Sequence, residues 1–201
     1  MNSVTLIILA AIIIVAVIIL ISIYNQLVRL KAQFKNAFSQ IEVQLKRRYD
    51  LIPNLVETAK AYLKHESEIL IKVTEARNQA VSALQASSAD PTNGKNIQAL
   101  NFAEQNLDRN MAGLNLHLEA YPDLKANTNM MQLSEEITST ENRVSYARQA
   151  YNDAVTSYNI ALKTFPAVFV APLVGHTEEG KLLEFEDSAQ IQSAPKVSFN
   201  L

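Results

Sequence analysis

A charge-free apolar segment near the N-terminus constrains this chain more than any other feature. Residues 4–23 read VTLIILAAIIIVAVIILISI, and the first charged side chain of the sequence is Arg29. Twenty such residues span about 30 Å as an α-helix, which matches the hydrocarbon thickness of a bilayer. Their Ile, Leu and Val side chains favour insertion by roughly 4–8 kcal/mol. The segment therefore predicts a membrane-spanning helix.

The alternative for this segment is a cleaved signal peptide. Such a peptide has a basic start, an apolar core of about 7–15 residues and a small-x-small cleavage site. Here the start is Met-Asn-Ser, the apolar core is longer, and residues 22–25 offer no good cleavage site. We therefore predict an uncleaved transmembrane anchor over residues 1–23, with Tyr24 at the interface between lipid and water.

Basic residues lie on one side of this anchor. Arg29, Lys31 and Lys35 follow it closely, whereas no Lys or Arg precedes it. Because the positive-inside bias retains such residues in the cytoplasm, we expect a single-pass membrane protein. The N-terminus would lie outside, and the C-terminal body would lie in the cytoplasm.

Beyond the anchor, apolar residues recur at three- and four-residue steps, which is the pattern of amphipathic helices. There are four such stripes: Leu27 to Leu45, Ile52 to Leu84, Ile97 to Leu118, and Leu133 to Phe165. Asp50 and Pro53 predict a break or kink after Tyr49. The loop-forming residues 87–94 separate the second stripe from the third, and prolines close the third and fourth.

These stripes predict an all-α chain. The transmembrane helix would continue into an elongated antiparallel four-helix bundle over residues 24–166. Residues 167–201 would form a short irregular or extended C-terminal segment or tail. Its two apolar runs, 168–170 and 182–185, are compatible with a loose hairpin or with extended segments laid on the bundle.

The residue inventory argues against several classes of function. The absence of Cys excludes disulfides, thiol catalysis and Cys-based zinc sites. His65, His117 and His176 are scattered and form no H-E-x-x-H motif. A net charge of −2 is unlike that of a basic nucleic-acid binder. We therefore expect no catalytic residues, no cofactor, no metal and no nucleic-acid partner.

Charged and apolar residues crowd together in the segment 44–55, QLKRRYDLIPNL. One interpretation is a docking surface for an acidic partner, formed by Lys46, Arg47, Arg48, Asp50 and Pro53. The structural interpretation is that Arg47 or Arg48 pairs with Asp50 or caps a helix end. Lys46 would in either case pair with Glu42, because residues four apart are neighbours on a helix.

A second feature is the pair of Tyr-Asn dipeptides at 151–152 and 158–159. Their seven-residue spacing places both tyrosines on one helix face, two turns apart. Tyrosines in this arrangement favour a core position with satisfied hydroxyl groups, and a ligand site is the alternative.

At these same residues the sequence resembles the LemA family of bacterial membrane proteins. The resemblance is carried by the apolar N-terminus running into Tyr24 to Val28, Ser39 to Arg48, Asp50 to Val56, Glu75 to Arg77, Tyr121 to Lys125, the two Tyr-Asn pairs with Ala147-Arg148, and Phe165-Pro166. Phe38 departs from the family, which usually has Trp there. The resemblance implies one membrane helix and a helical bundle, without an established activity. It also implies associations proposed for the family, with membrane zinc proteases, envelope stress and magnetosome membranes.

The sequence leads to three functional hypotheses. The first is a non-enzymatic membrane-anchored helical scaffold that forms a homo-oligomer or binds another envelope protein. The second is an accessory subunit or adaptor of a membrane protease or envelope stress system. The third is a hydrolase with a site hidden in the bundle. Apart from the chain itself, the predicted partners are the lipid bilayer and a membrane protein.

Overall fold

The computed structural model describes residues 3–63 and 66–184, except for the side chain of Lys125. Within these ranges the chain is helical and contains no strand. The elements are α1 (Ser3–Lys60), α2 (Ser67–Ala89), α3 (Gly94–Glu119), α4 (Pro122–Lys125), α5 (Thr128–Lys163), α6 (Ala167–Val170) and a 3₁₀ turn (Ala171–Val174). The predicted all-α class is therefore confirmed, as is the long apolar helix at the N-terminus.

The first element, α1, joins the apolar segment to the rest of the molecule without a break. Its apolar side chains are exposed from Val4 to Ile21, and burial against other elements begins at Ile23. In the part of the chain that is described, α1 is the one helix that is long and apolar enough to cross a membrane unaided. An exposed apolar surface of this length fits a helix whose solvent is lipid.

Of the predicted break or kink after Tyr49, the break is wrong, because α1 continues through Pro53 to Lys60. A proline inside a helix leaves the carbonyl four residues earlier without its donor. Here that carbonyl belongs to Tyr49, and the Arg77 Nε on α2 donates to it at 3.1 Å. A neighbouring helix thus replaces the missing N–H, and the chain turns later, after Lys60.

This replacement predicts a coupling between Arg77 and Pro53. Arg77→Met leaves the Tyr49 carbonyl unpaired, which we expect to cost about 1–2 kcal/mol of unfolding free energy. In a Pro53→Ala background the restored N–H takes over the carbonyl, so the same substitution costs less. Urea denaturation of the detergent-solubilised variants, as a double-mutant cycle, measures the difference. An equal cost in both backgrounds would contradict the explanation.

The long helices leave one gap between neighbours, between α3 and α5, which we call the seam. α1 packs along α5, α2 packs along α3, and α1 also contacts α2. Their buried apolar side chains form one cluster that runs from Ile23 to Leu183. Among the described elements, α3 and α5 do not pack closely on each other. The chain after the 3₁₀ turn lies between them and is hydrogen-bonded to both helices.

The C-terminal segment differs from the predicted extended conformation over its first eight residues. Residues 167–174 are helical: Pro166 stands at the N-cap of α6, and Pro172 lies in the first turn of the 3₁₀ helix, where the missing N–H of proline is tolerated. Gly175, with a φ of 80°, ends the turn in a left-handed conformation that favours glycine. From there to Glu184 the chain is neither helix nor strand, bends at Glu178 and forms no hairpin with another described residue. The remainder of the predicted tail lies outside the described residues.

Candidate functional site

Arg48 lies in the interior of the helical body, where it joins α1 to α3. Its side chain is only 4% exposed, and its Nη1 donates to Glu104 Oε2 at 3.1 Å. Its Nη2 donates to Asp108 Oδ1 on the next turn of α3. The hydroxyl of Tyr49 donates to the other oxygen of Glu104. One guanidinium, one phenol and two carboxylates therefore form a buried polar network.

Burial and charge act against each other in this network. Burial raises the pKa of Glu104, and the adjacent guanidinium opposes that rise. Burial lowers the pKa of Arg48, but Glu104 and Asp108 more than offset it and leave the pKa above its usual value. Burial and the Glu104 carboxylate both raise the pKa of Tyr49, which keeps its hydroxyl a donor. The network is arranged to satisfy charge rather than to move a proton.

This placement changes the interpretation of the charged segment. Arg48 pairs with α3 and not with Asp50, because residues two apart on a helix do not face each other. Asp50 lies 3.9 Å from Arg77 instead. Lys46 pairs with Glu42 at 2.5 Å, as the four-residue spacing predicted. Four members of the predicted docking surface are exposed, and their role in docking stays a prediction: Lys46, Arg47, Asp50 and Pro53.

The tyrosines of the two Tyr-Asn pairs are core residues, as their spacing predicted. Tyr151 and Tyr158 are fully or almost fully buried. Their rings contact Phe34 of α1 at centroid distances of 6.3 and 5.6 Å, and Tyr151 also contacts Phe38 at 5.8 Å. The Tyr151 hydroxyl donates to the carbonyl of Lys181 at 2.9 Å. Both rings thus hold α5 against α1.

The asparagines next to these tyrosines bind the main chain of the extended segment. Asn159 donates to the carbonyl of Gly180 at 2.9 Å and accepts from its N–H at 2.8 Å. Asn152 makes the same two bonds to Leu183, at 3.0 and 2.9 Å. Each of the two side chains therefore bonds both the N–H and the C=O of one residue, as a neighbouring β-strand would.

A third asparagine acts from the opposite wall of the seam. Asn101 on α3 donates to the carbonyl of Leu182 at 3.1 Å and accepts from the N–H of Glu184 at 3.2 Å. Gln105, one turn further along α3, donates to the carbonyl of Glu184 at 3.3 Å. We call Asn101, Asn152 and Asn159 the asparagine clamp. The clamp holds residues 180–184 between α3 and α5.

The clamp recognises polypeptide backbone. An asparagine side chain carries one carbonyl and one NH₂ group, so it can satisfy both polar groups of a peptide main chain. Side-chain selectivity enters at Gly180, where a Cβ atom would lie 2.9 Å from Val155 Cγ1. Since Val155 is buried and β-branched, it has little freedom to move aside. The seam therefore accepts an extended segment with glycine at this position.

Beyond the clamp the seam continues as a polar groove of about 540 Å³. α3 contributes Asp108, Arg109 and Asn115 to its walls, and α5 contributes Glu141 and Arg148. The Arg48 network forms part of the same wall. The groove and the clamp are therefore consecutive parts of one surface between α3 and α5.

The two histidines that the structure describes do not converge on this surface. His117 Nδ1 lies 2.8 Å from the carbonyl of Gly113, and His176 Nδ1 lies 3.0 Å from the Tyr158 hydroxyl. His65 lies outside the described residues. Burial, aided by Lys31, lowers the pKa of His176. Among the residues that the structure describes, no three His, Cys, Asp or Glu side chains are grouped to hold a metal ion.

Sequence reasoning identified the tyrosines but missed the clamp. The seven-residue spacing of Asn152 and Asn159 was visible and could have suggested a repeated main-chain contact. Asn101 lies about fifty residues earlier, on a helix with no matching motif. Its partnership with the other two depends on how α3 faces α5, which no local pattern contains.

The similarity of this chain to known proteins covers the residues of the clamp. The model of the LemA family matches residues 37–199. Protein LemA of Metamycoplasma hominis is 30% identical over 141 residues, which are 70% of this chain and 60% of that protein. Magnetosome protein MamQ 2 of Paramagnetospirillum magneticum is 24% identical over 167 residues, 76% of this chain and 61% of that protein. The chain thus spans about 60% of the length of these curated relatives.

Proposed function

The chain belongs to the LemA family, and we propose that it is a non-enzymatic, membrane-anchored scaffold that associates with further copies of itself. The observation that carries this proposal is the asparagine clamp, which holds an extended segment through six main-chain hydrogen bonds. A site that reads backbone is suited to holding polypeptide. The three asparagines of the clamp are neutral amides, which supply hydrogen bonds and act neither as nucleophile nor as base.

The proposed location combines the anchor with the charge pattern. α1 would cross the bacterial inner membrane, and Arg29, Lys31 and Lys35 would keep the helical body in the cytoplasm. The four long helices would form an antiparallel bundle that stands on α1 at a fixed angle, since α1 is continuous across the boundary. If an impermeant thiol reagent labels Ser198→Cys on intact cells, the C-terminal body lies outside and the proposed orientation is wrong.

Anchoring favours a second copy as the source of a clamped segment. Every copy inserted in the same orientation carries its clamp at the same height above the membrane. Residues 180–184 of one copy therefore lie level with the clamp of its neighbour. The exposed residues Thr177 to Glu179 connect the 3₁₀ turn to the clamped segment, and such a connection can serve as the hinge of an exchange. We infer that copies associate by placing residues 180–184 in each other's clamp.

A disulfide between two positions tests this exchange. The Cβ position at Gly94 lies 2.8 Å from Lys181 Cγ, so cysteines at 94 and 181 are close enough to join. The chain has no cysteine of its own, so any disulfide reports on the introduced pair. Two differently tagged copies, one with Gly94→Cys and one with Lys181→Cys, are coexpressed and oxidised in isolated membranes. We expect a disulfide-linked product that carries both tags.

The matched control pairs Gly94→Cys with Ser134→Cys, an exposed position near the start of α5. This pair should give no product with both tags. Exchange is refuted if copies carrying both Gly94→Cys and Lys181→Cys close only within one chain and the coexpressed single variants never join. A disulfide adduct with a different protein would instead favour the adaptor alternative.

A further inference from the structure

The end of α5 leads into a second apolar surface that the clamp does not use. Residues 164–175 contain no charged side chain. Three large side chains there are among the most exposed of the helical body: Phe165 at 77%, Phe169 at 70% and Leu173 at 83%. We call residues 165–174 the elbow. An apolar patch of this kind on a helical body marks an interaction site.

The opposite face of the elbow is packed on the end of the anchor. Val170 and Ala171 are buried and belong to the apolar core of the body. α6 and the 3₁₀ turn both contact α1. Close by, the ring of His176 lies edge-on to Tyr24 at 6.5 Å. The elbow is thus fixed at the level where the apolar segment of α1 ends.

The direction of the elbow is set by its angle to α5. Residues 167–174 turn by 84° from the axis of α5. Because α5 packs along α1 and packed helices of this kind lie close to parallel, the elbow crosses the axis of α1 nearly at a right angle. When α1 crosses a bilayer, the elbow therefore lies in the plane of the membrane surface.

We propose that the elbow is an interfacial membrane-binding segment whose exposed face enters the boundary between lipid headgroups and acyl chains. The inference needs α1 to be embedded, but it does not depend on self-association. Its charge-free length, its height and its direction all fit lipid as the occupant. Lys163 and Glu179 form an exposed ion pair, with 2.8 Å between Lys163 Nζ and Glu179 Oε2. Lys163 precedes the elbow in the chain and Glu179 follows it, so a charged residue lies beyond each end of the elbow.

The consequence is attachment of the helical body at two points. The anchor alone would leave α1, and the body continuous with it, free to tilt in the bilayer. The elbow adds a second contact to one side of α1, so it limits this tilt. It also fixes the height of residues 180–184, because the clamped segment begins only a few residues after the elbow.

Tryptophan fluorescence tests the proposal directly, because the chain contains no Trp. Phe169→Trp and Leu173→Trp are each reconstituted, as the full chain, in vesicles of phosphatidylcholine brominated on the acyl chains. Bromine quenches tryptophan at short range, so we expect at least a twofold loss of emission relative to vesicles without bromine. Tyr146→Trp is the matched control, since Tyr146 is 75% exposed and lies about 25 Å along α5 from the end of that helix at Lys163.

Ile14→Trp, in the middle of the apolar segment, reports on the anchor itself. The proposal is supported if Trp at 169 and 173 is quenched along with Trp at 14, while Trp at 146 is not. The proposal is overturned if bromine leaves Trp at 169 and 173 unquenched, as we expect for Trp at 146. This holds whether their emission is water-like or is blue-shifted because a second copy covers the elbow. Absence of quenching at position 14 would show that α1 does not enter the bilayer. Position 14 thus distinguishes failure of the anchor from failure of the elbow proposal.

Discussion

Glu104→Leu is expected to lower the free energy of unfolding by about 3–5 kcal/mol, because it breaks a buried ion pair and leaves one partner behind. The variant leaves the Arg48 guanidinium almost fully buried, without the buried carboxylate that it bonds and with the half-exposed Asp108 still bonded to it. It also leaves the buried Tyr49 hydroxyl without the acceptor it has in Glu104. Urea denaturation of the detergent-solubilised chain, followed by circular dichroism, measures the loss.

A rescue variant separates the lost charge pair from lost packing. Arg48→Met combined with Glu104→Leu and Tyr49→Phe removes the three buried polar groups of the network together and leaves only the half-exposed Asp108, so we expect it to recover most of the stability. Glu57→Ala is the control, because its pair with Lys60 is exposed on both sides and is worth little. If Glu104→Leu costs no more than Glu57→Ala, the buried network does not stabilise the fold.

The asparagine clamp gives the second large prediction. Asn101→Ala, Asn152→Ala and Asn159→Ala each remove two hydrogen bonds, or about 2 kcal/mol per position. The triple variant should therefore release residues 180–184 from the seam. Amide hydrogen exchange at Gly180, Leu183 and Glu184 reports the release, because these N–H groups are the ones the clamp accepts from. We expect their protection to fall more than a hundredfold.

The clamp prediction has a matched control on the same helix. Asn142→Ala changes an exposed asparagine of α5 and should leave exchange at the three amides unchanged. Gly180→Ala offers an independent route to release, since its Cβ would press on Val155 and no asparagine is altered. Unchanged protection in both the triple variant and Gly180→Ala would show that something other than the clamp holds the segment.

Local patterns were sufficient to predict the all-α class, the long apolar helix at the N-terminus, and two of the later helices. The apolar segment at residues 4–23 predicted the exposed start of α1, and the third and fourth stripes correspond to α3 and α5. Helical periodicity succeeds here because each element buries one face along its whole length. The tyrosine spacing in α5 was interpreted correctly for the same reason.

The misplaced break at Pro53 has a different origin. A proline ends or bends a helix when the carbonyl it leaves unpaired cannot find another donor. Arg77 supplies that donor from α2, about 24 residues further along the chain. A sequence pattern does not reveal which arginine will reach which carbonyl, so the exception was visible only in the packed structure.

Arg48 and the clamp were missed for a related reason. The cluster of three basic residues at 46–48 suggested a charged surface, yet one of the three points into the body toward Glu104. Glu104 itself lies in the apolar stripe of α3, between Leu100 and Leu107, and is fully buried. A buried carboxylate on one helix and a buried arginine on another can be recognised as partners only after the register of α1 and α3 is known.

The elbow, the clamp and the anchor together would determine where residues 175–184 lie relative to the membrane. The anchor and the elbow would set the position of the body on the membrane. Residues 175–184 then run from the elbow into the seam between α3 and α5. In the proposed scaffold, this arrangement presents the segment at the same height in every copy, where a neighbouring clamp can take it.

The mass of the complex extracted from its own membrane tests the proposed scaffold most directly. The chain is extracted with its surrounding lipid in polymer nanodiscs, and its copy number is determined by light scattering against a mass of 22.3 kDa for one copy. We predict two or more copies for the wild type, and single copies for the triple asparagine variant. A wild-type particle that contains one copy of the chain would contradict self-association through the clamp.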